Sequence, residues 1–337
     1  MSRAQLTSTV EQNTGGAVAP YVAGKNKVIN GDFGIWQRGT SFTVTGLFAY
    51  TADRWQSVTD GTTTVSQQAF TAGSAPVAGY ESQYFLRYAH TATPTAGSYW
   101  ILQNKIEDVR TYAGQTVNLS FWAKVASGVT QSVSLVQSFG TGGSSDVTTF
   151  LTSPTLTTSW ARYSMSVTLP SITGKTIGAG SYLAVSFNGG STAITLDLWG
   201  VQLEAGSVAT AFQTATGTLS GELQACQRYY TRLTGGQAYS IYGIGFGRAS
   251  GATADVLVTL PVTMRAIPTV LEYANIQLSV PGSAGVTIGG ITTPSSSDEN
   301  SQYIGALAIS ATVTAAKPYF IGNANNAAGY LAFGAEL

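Results

Sequence analysis

The stretch Asn26–Trp55, NKVINGDFGIWQRGTSFTVTGLFAYTADRW, decides how the chain is read. Val28, Ile29, Phe33 and Ile35 come first, interrupted by the turn dipeptide Asn30-Gly31. Trp36-Gln37-Arg38-Gly39 follow, then a Thr-rich strand with Phe42 and Val44, then Tyr50 and the triplet Asp53-Arg54-Trp55.

Downstream segments repeat a β pattern. Val117, Leu119, Phe121, Ala123 and Val125 alternate with Asn118, Ser120, Trp122 and Lys124, a period of two that predicts a half-buried strand. Ala161–Leu169 and Ile194–Trp199 alternate in the same way. Turns such as Gly140-Thr141-Gly142-Gly143 and Gly189-Gly190 separate such runs, the signature of an antiparallel sandwich.

The opening stretch resembles the start of a carbohydrate-binding-module-like jelly roll found in bacteriophage tail-fibre and other virion-surface proteins. Ile106–Lys124 (IEDVRTYAGQTVNLSFWAK), Thr158–Val167 (TSWARYSMSV) and Leu196–Phe212 (LDLWGVQLEAGSVATAF) fall in that family's order and spacing, so the resemblance covers about residues 26–212. It implies a virion structural protein, most directly a tail fibre or tail-associated adhesion protein that is homotrimeric and contacts host surface glycans. A head fibre or capsid-decoration protein and a glycan-depolymerising tailspike are the alternatives. It also makes Trp36, Trp55, Trp122 and Trp160 framework positions.

Composition agrees. Charged residues make up 9% of the 337, and 16 Lys and Arg balance 16 Asp and Glu. That is far below the roughly 25% of ordinary globular proteins. A surface so poor in charge invites cover by partner subunits. No basic patch points to nucleic acid, and no apolar run is long enough to enter a membrane. Residues 1–25 lack the apolar run of a secretory signal, so the expected location is the virion surface after synthesis in a host cytoplasm.

Four regions follow. Residues 1–25 read as a particle-anchoring arm that docks on other tail or capsid proteins. Residues 26–212 form the jelly roll. Residues 213–237 form a helical linker, with a helix over about 220–233 capped by Ser220. There Leu219, Leu223, Cys226, Tyr230 and Leu233 recur at heptad spacing, a seam that serves either its own sandwich or a symmetry axis. Residues 238–337 read as a second β-sandwich: Val256, Val258 and Leu260 alternate, 269–280 and 303–314 are strand-like, 292–300 is a loop, and Leu331 and Phe333 share a face. The expected fold class is therefore all-β: an N-terminal jelly roll, a short helix and a C-terminal β-sandwich.

Catalytic residues are not expected. One histidine (His90) and one cysteine (Cys226) leave no ligand set for a zinc centre, and neither GxSxG nor a Walker A sequence occurs. A glycosidase needs only two carboxylates, for which Asp53, Asp60, Glu81, Glu107 and Asp108 are the candidates. Tryptophans on the polar phase of strands have three uses: covering a sandwich edge, packing on a subunit, or stacking on a sugar ring. Tyr99, Trp100 and Trp199 are the expected ligand contacts. No cofactor is expected beyond a structural Ca²⁺, which the resemblance would place on Asp32, Asp197 or Glu204. Gly34, standing after Phe33 where calcium-binding relatives carry a carboxylate, counts against it.

Overall fold

The computed structural model describes residues 22–46, 48–77, 80–91, 98–280, 285–292 and 304–337. Among the described residues the fold is all-β with one short helix, and the chain divides into two compact units. The first holds residues up to Gly34, Ser41–Tyr50 and Trp55–Glu222; the second holds Ile35–Thr40, Thr51–Arg54 and Leu223–Leu337. The arm expected over residues 1–25 lies, up to residue 21, outside the described residues.

In the first unit, one sheet runs Ser41–Thr45, Thr62–Ala69, Tyr84–His90, Ile194–Ala205, Thr116–Val125, Ala161–Thr168. The other runs Val147–Phe150, Ser132–Ser138, Tyr182–Gly189, Trp100–Glu107, Trp55–Thr59, Phe48–Tyr50. Strand pairs are antiparallel throughout. From Tyr84 onward the chain crosses repeatedly between the two sheets, as in a jelly roll, apart from the hairpin Ser132–Ser138/Val147–Phe150 within the second sheet and a separate two-stranded pair, Val129–Thr130 with Thr155–Leu156. The sheets meet through their inner side chains: Phe121 lies 4.9 Å from Phe187, and Tyr88 4.8 Å from Trp100. The expected inner residues Val117, Leu119, Phe121, Leu196 and Leu198 are fully buried.

The outer face of the first sheet departs from the expected half-buried pattern. Trp122 and Trp199 project there, and Phe70, Val77, Tyr80, Trp160 and Phe212 close over them and Phe85 as a satellite core. Trp199 packs 4.9 Å from Phe212, 5.3 Å from Trp122 and 5.5 Å from Tyr80. A register shift between Trp199 and Gln202 accommodates the cluster. Gly200, at φ 64°, sits where a Cβ would lie 2.7 Å from the Trp122 ring, so both its conformation and its lack of a side chain are needed.

The helix is shorter than expected. It spans Leu219–Gln227, and Thr218 rather than Ser220 caps it, its Oγ1 accepting from the Gly221 amide at 3.0 Å. Tyr230 and Leu233 belong to the strand Tyr230–Thr234, so the five-residue seam does not lie along one helix. Leu219 is 70% exposed, Cys226 and Tyr230 are buried, and Leu233 packs against the core of the second unit. The heptad spacing was coincidental: a strand with period two continued a pattern begun on a nine-residue helix.

The second unit contains a three-stranded sheet of Tyr230–Thr234, Tyr330–Gly334 and Val270–Ala274. A six-stranded sheet runs Ile276–Ser279, Pro318–Asn323, Ile241–Gly247, Thr253–Thr259, Ile304–Ser310, Gly290–Thr292. Val256, Val258, Leu260, Leu331 and Phe333 share its core, as their phases required. The loop expected over 292–300 lies, from residue 293, outside the described residues.

Two pieces of the opening motif belong to this unit. Arg38 and Arg54 both bond the Glu336 carboxylate, Arg38 at 3.0 Å. Arg38 stacks 3.5 Å above the Tyr230 ring and Arg54 3.4 Å above that of Tyr229. Asp53 accepts from the Gln37 backbone and side-chain amides at 3.2 and 3.0 Å and pairs with Arg38 at 3.4 Å. Burial raises the Asp53 carboxyl to about 6 against the pull of Arg38.

Because Trp199 is at 0% exposure, truncating it opens a cavity in a packed cluster. Trp199→Ala should destabilise the jelly roll by about 3–5 kcal/mol, read as a large fall in the thermal midpoint. A midpoint within a degree of the parent would mean that the ring is not buried.

Candidate functional site

The structure scatters the expected site residues. Tyr99 is 39% exposed, and its backbone is pinned to Asp60, whose carboxylate accepts from the Tyr99 amide at 3.0 Å. Trp100 opens an inward-facing strand position and is buried against Tyr88; Trp199 is buried in the aromatic satellite. Neither tryptophan can meet a ligand. Trp100 falls on the inward phase of its strand, and Trp199 lies beneath Phe70, Tyr80 and Phe212.

The three calcium candidates are not brought together either. Asp197 is held by Arg87 at 2.7 Å and Lys124 at 3.6 Å, across neighbouring strands. Glu204 accepts from the Thr210 amide and hydroxyl and from Gln202, and pairs with Lys25 at 3.3 Å. These hydrogen bonds and Lys25 outweigh burial and lower its pKa. Asp32 accepts from Tyr80 at 3.3 Å. Among the described residues no group of three or more His, Cys, Asp and Glu side chains is clustered for a metal. The three candidates thus form no common set of carboxylate ligands for Ca²⁺, each being engaged by its own partners. The carboxylates weighed for catalysis have local partners: Asp53 as above, Glu81 with the Gly73 amide, Asp108 with Arg110. His90 bonds Thr63 inside the sandwich, where burial lowers its pKa.

What the fold does assemble is the outer face of the sheet that ends in Phe48–Tyr50 and Val147–Phe150. Cross-strand register aligns Tyr50, Gln56, Gln103, Ser186, Ser134 and Phe150 in one row across all six strands. Their chain neighbours Trp55, Leu102, Val185, Phe187, Val133 and Leu135 are buried, so the row faces away from the core. With strands roughly 4.8 Å apart, five intervals span about 24 Å. A second row, Phe48, Val58, Ile101, Asn188 and Ser132, runs beside it.

The chemistry of this face is uniform. Gln103 donates to Gln56 Oε1 at 2.7 Å, and Asn188 donates to Ser134 Oγ at 3.0 Å. Phe48 and Phe150, on opposite edge strands, are 64% and 69% exposed. Ser134, Ala184 and Ser186 are almost fully screened by their neighbours, and Ser186 Oγ has no hydrogen-bond partner. A buried hydroxyl without a partner is uncommon in folded proteins. Among the described strand residues of this face, charge is confined to Lys105, which lies 4.7 Å from the Tyr182 ring, and Glu107. An uncharged strip of amides and hydroxyls between exposed aromatic rings can hydrogen-bond the hydroxyls of a polyol while its rings cover C–H faces. The strands that carry this row gave no reading from sequence, and the row itself could not be read there, because register joins residues as far apart as Gln103 and Ser186.

No family model matches this chain, and no curated protein matches it. Solved structures share parts of its shape. The enzymatically active domain of tailspike protein 4 from bacteriophage CBA120 is 17% identical over 54% of this chain and 21% of its own, with a TM-score of 0.31. A family 11 carbohydrate-binding module from Clostridium thermocellum, solved with a mixed-linked tetrasaccharide, is 12% identical over 51% of this chain and 98% of its own, with a TM-score of 0.32. A xylan-binding domain from Paenibacillus barcinonensis is 12% identical over 56% of this chain and all of its own, also with a TM-score of 0.32. At such scores these likenesses say nothing of what this chain binds.

Asp32 provides a pH signature for the first unit. Loss of solvent, then the nearby Glu222 carboxylate, raise its carboxyl to about 6. A group whose folded pKa is raised adds stability below its unfolded pKa, near 3.8, and loses that contribution as pH rises through 6. Asp32→Asn removes this penalty. Its stability relative to the parent, from urea titrations, should therefore improve steadily between pH 4 and 6. A constant difference across that range would show that Asp32 titrates normally.

Proposed function

We propose that this chain is a glycan-binding protein whose jelly-roll unit lays an extended, uncharged oligosaccharide across the row Tyr50–Gln56–Gln103–Ser186–Ser134–Phe150, without cleaving it. The observation that carries the reading is the uncharged register row itself, with half-buried Gln103 beside Asn188 at its centre and exposed phenylalanines on its two edge strands. Gln103 and Asn188, both half-buried, retain amide groups that can bond sugar hydroxyls. Exposed Phe48 and Phe150 supply ring faces at the two edges.

Placement on a virion surface, as part of a tail fibre or another adhesion protein, rests on the sequence resemblance of residues 26–212. Homotrimerisation is not part of the proposal, because the helical seam that suggested it is not present. Adhesion through single sites of this kind is weak, and a particle would gain avidity by presenting several copies.

Calorimetry with neutral β-glucan, xylan and galactan oligosaccharides tests the reading. At least one should bind, and Gln103→Ala and Phe150→Ala should each weaken it about tenfold or more, roughly 1.4 kcal/mol, with thermal midpoints unchanged. Binding insensitive to both substitutions, or steady release of reducing ends, would overturn it.

A further inference from the structure

Arg232 in the second unit has no ion pair among the described residues. Its guanidinium lies 3.6 Å above the Tyr330 ring centroid, and its Nη1 donates to the carbonyls of Arg38 at 2.8 Å and Gln37 at 3.4 Å. Its Nε is buried without a hydrogen-bond partner. Among the described residues no carboxylate is paired with it. The charges beside it cancel: Arg38 and Arg54 against Asp53 and Glu336. Glu272 accepts from the Tyr230 hydroxyl at 2.8 Å, a bond that leaves its charge in place, and register sets it across Ala332 from Arg232, two strands away.

Against this cation lies a cavity of about 310 Å³, lined by Trp36, Gln37, Arg38, Arg232, Thr234 and Gly329 among others. All of these belong to the second unit. The volume is that of a small-ligand site, which typically begins at about 300 Å³. The wall combines an indole, a hydroxyl, an amide and a guanidinium that has no ion pair among the described residues. A planar guanidinium binds a carboxylate in fixed geometry, and an aromatic wall suits a pyranose ring.

We propose that this cavity is a second saccharide site, selective for sugars that carry a carboxylate, with Arg232 as the anion contact and Trp36 as the aromatic wall. It differs in unit and in chemistry from the uncharged row on the jelly roll, and it stands or falls independently of that row.

The test is calorimetry on the full chain with trigalacturonate, cellotriose and sodium acetate. Trigalacturonate should bind. Arg232→Gln should weaken it at least about tenfold, the loss expected of one charge-assisted contact. Arg232 also bonds backbone carbonyls, so Ala328→Leu provides the second arm: it narrows the cavity from an exposed lining position and leaves those bonds in place. Ala328→Leu should weaken trigalacturonate to a similar degree at an unchanged thermal midpoint, while leaving cellotriose affinity as it was. The proposal is overturned if trigalacturonate does not bind at millimolar concentration, if Ala328→Leu leaves its affinity unchanged, if Ala328→Leu weakens cellotriose equally, or if acetate binds as tightly as trigalacturonate.

Discussion

One carboxylate organises the second unit. Glu336 receives both Arg38 and Arg54, and each guanidinium lies flat on a tyrosine, Tyr230 and Tyr229 respectively. Arg54 is almost fully buried, and removing an ion from water costs several kcal/mol unless its partners are well placed. Arg54 also holds φ at 70°, a conformation that non-glycine residues adopt only when their surroundings require it. The carboxylate and the tyrosine pair supply that requirement. Arg265 adds to it by donating to the carbonyls of Ala335 and Glu336, each at 2.9 Å, which fixes the segment that carries the acid.

The opening motif of the sequence therefore serves two cores. Phe33 and Trp55, 4.9 Å apart, lie in the jelly roll, while Gln37, Arg38, Asp53 and Arg54 build the charged knot of the other unit. The motif was legible as a motif, and Trp55 as a framework residue. Its division between units was not, because the partners Tyr229, Tyr230 and Glu336 lie some 175 to 300 positions away. Trp36, for which a framework role was weighed above a sugar contact, is half-buried and lines the cavity beside Arg232.

The β class and the strand phases could be read directly, since alternation expresses which face of a strand meets the core. Errors arose where a second layer covered the face assumed to be wet. Trp122, Trp199 and Phe85 carry the outward phase but lie beneath Phe70, Tyr80 and Phe212, which come from elsewhere in the chain. The heptad seam failed for a related reason, as periodicity cannot mark where a nine-residue helix ends and a strand begins. The uncharged row on the jelly roll was hidden in a third way: each of its members is an ordinary polar strand residue, and only register gives them a common purpose.

A double-mutant cycle on Arg54 and Glu336 tests the central claim most directly. Glu336→Leu leaves two guanidiniums without their shared carboxylate and should cost about 3–5 kcal/mol by chemical denaturation; Arg54→Met leaves Glu336 to Arg38 alone, removes the stack on Tyr229 and should cost about 2–4 kcal/mol. Combined, they should cost at least about 2 kcal/mol less than the sum, the coupling expected of a shared buried pair. Additive losses within about 0.5 kcal/mol would show that the two residues act separately, and that the second unit does not depend on this carboxylate.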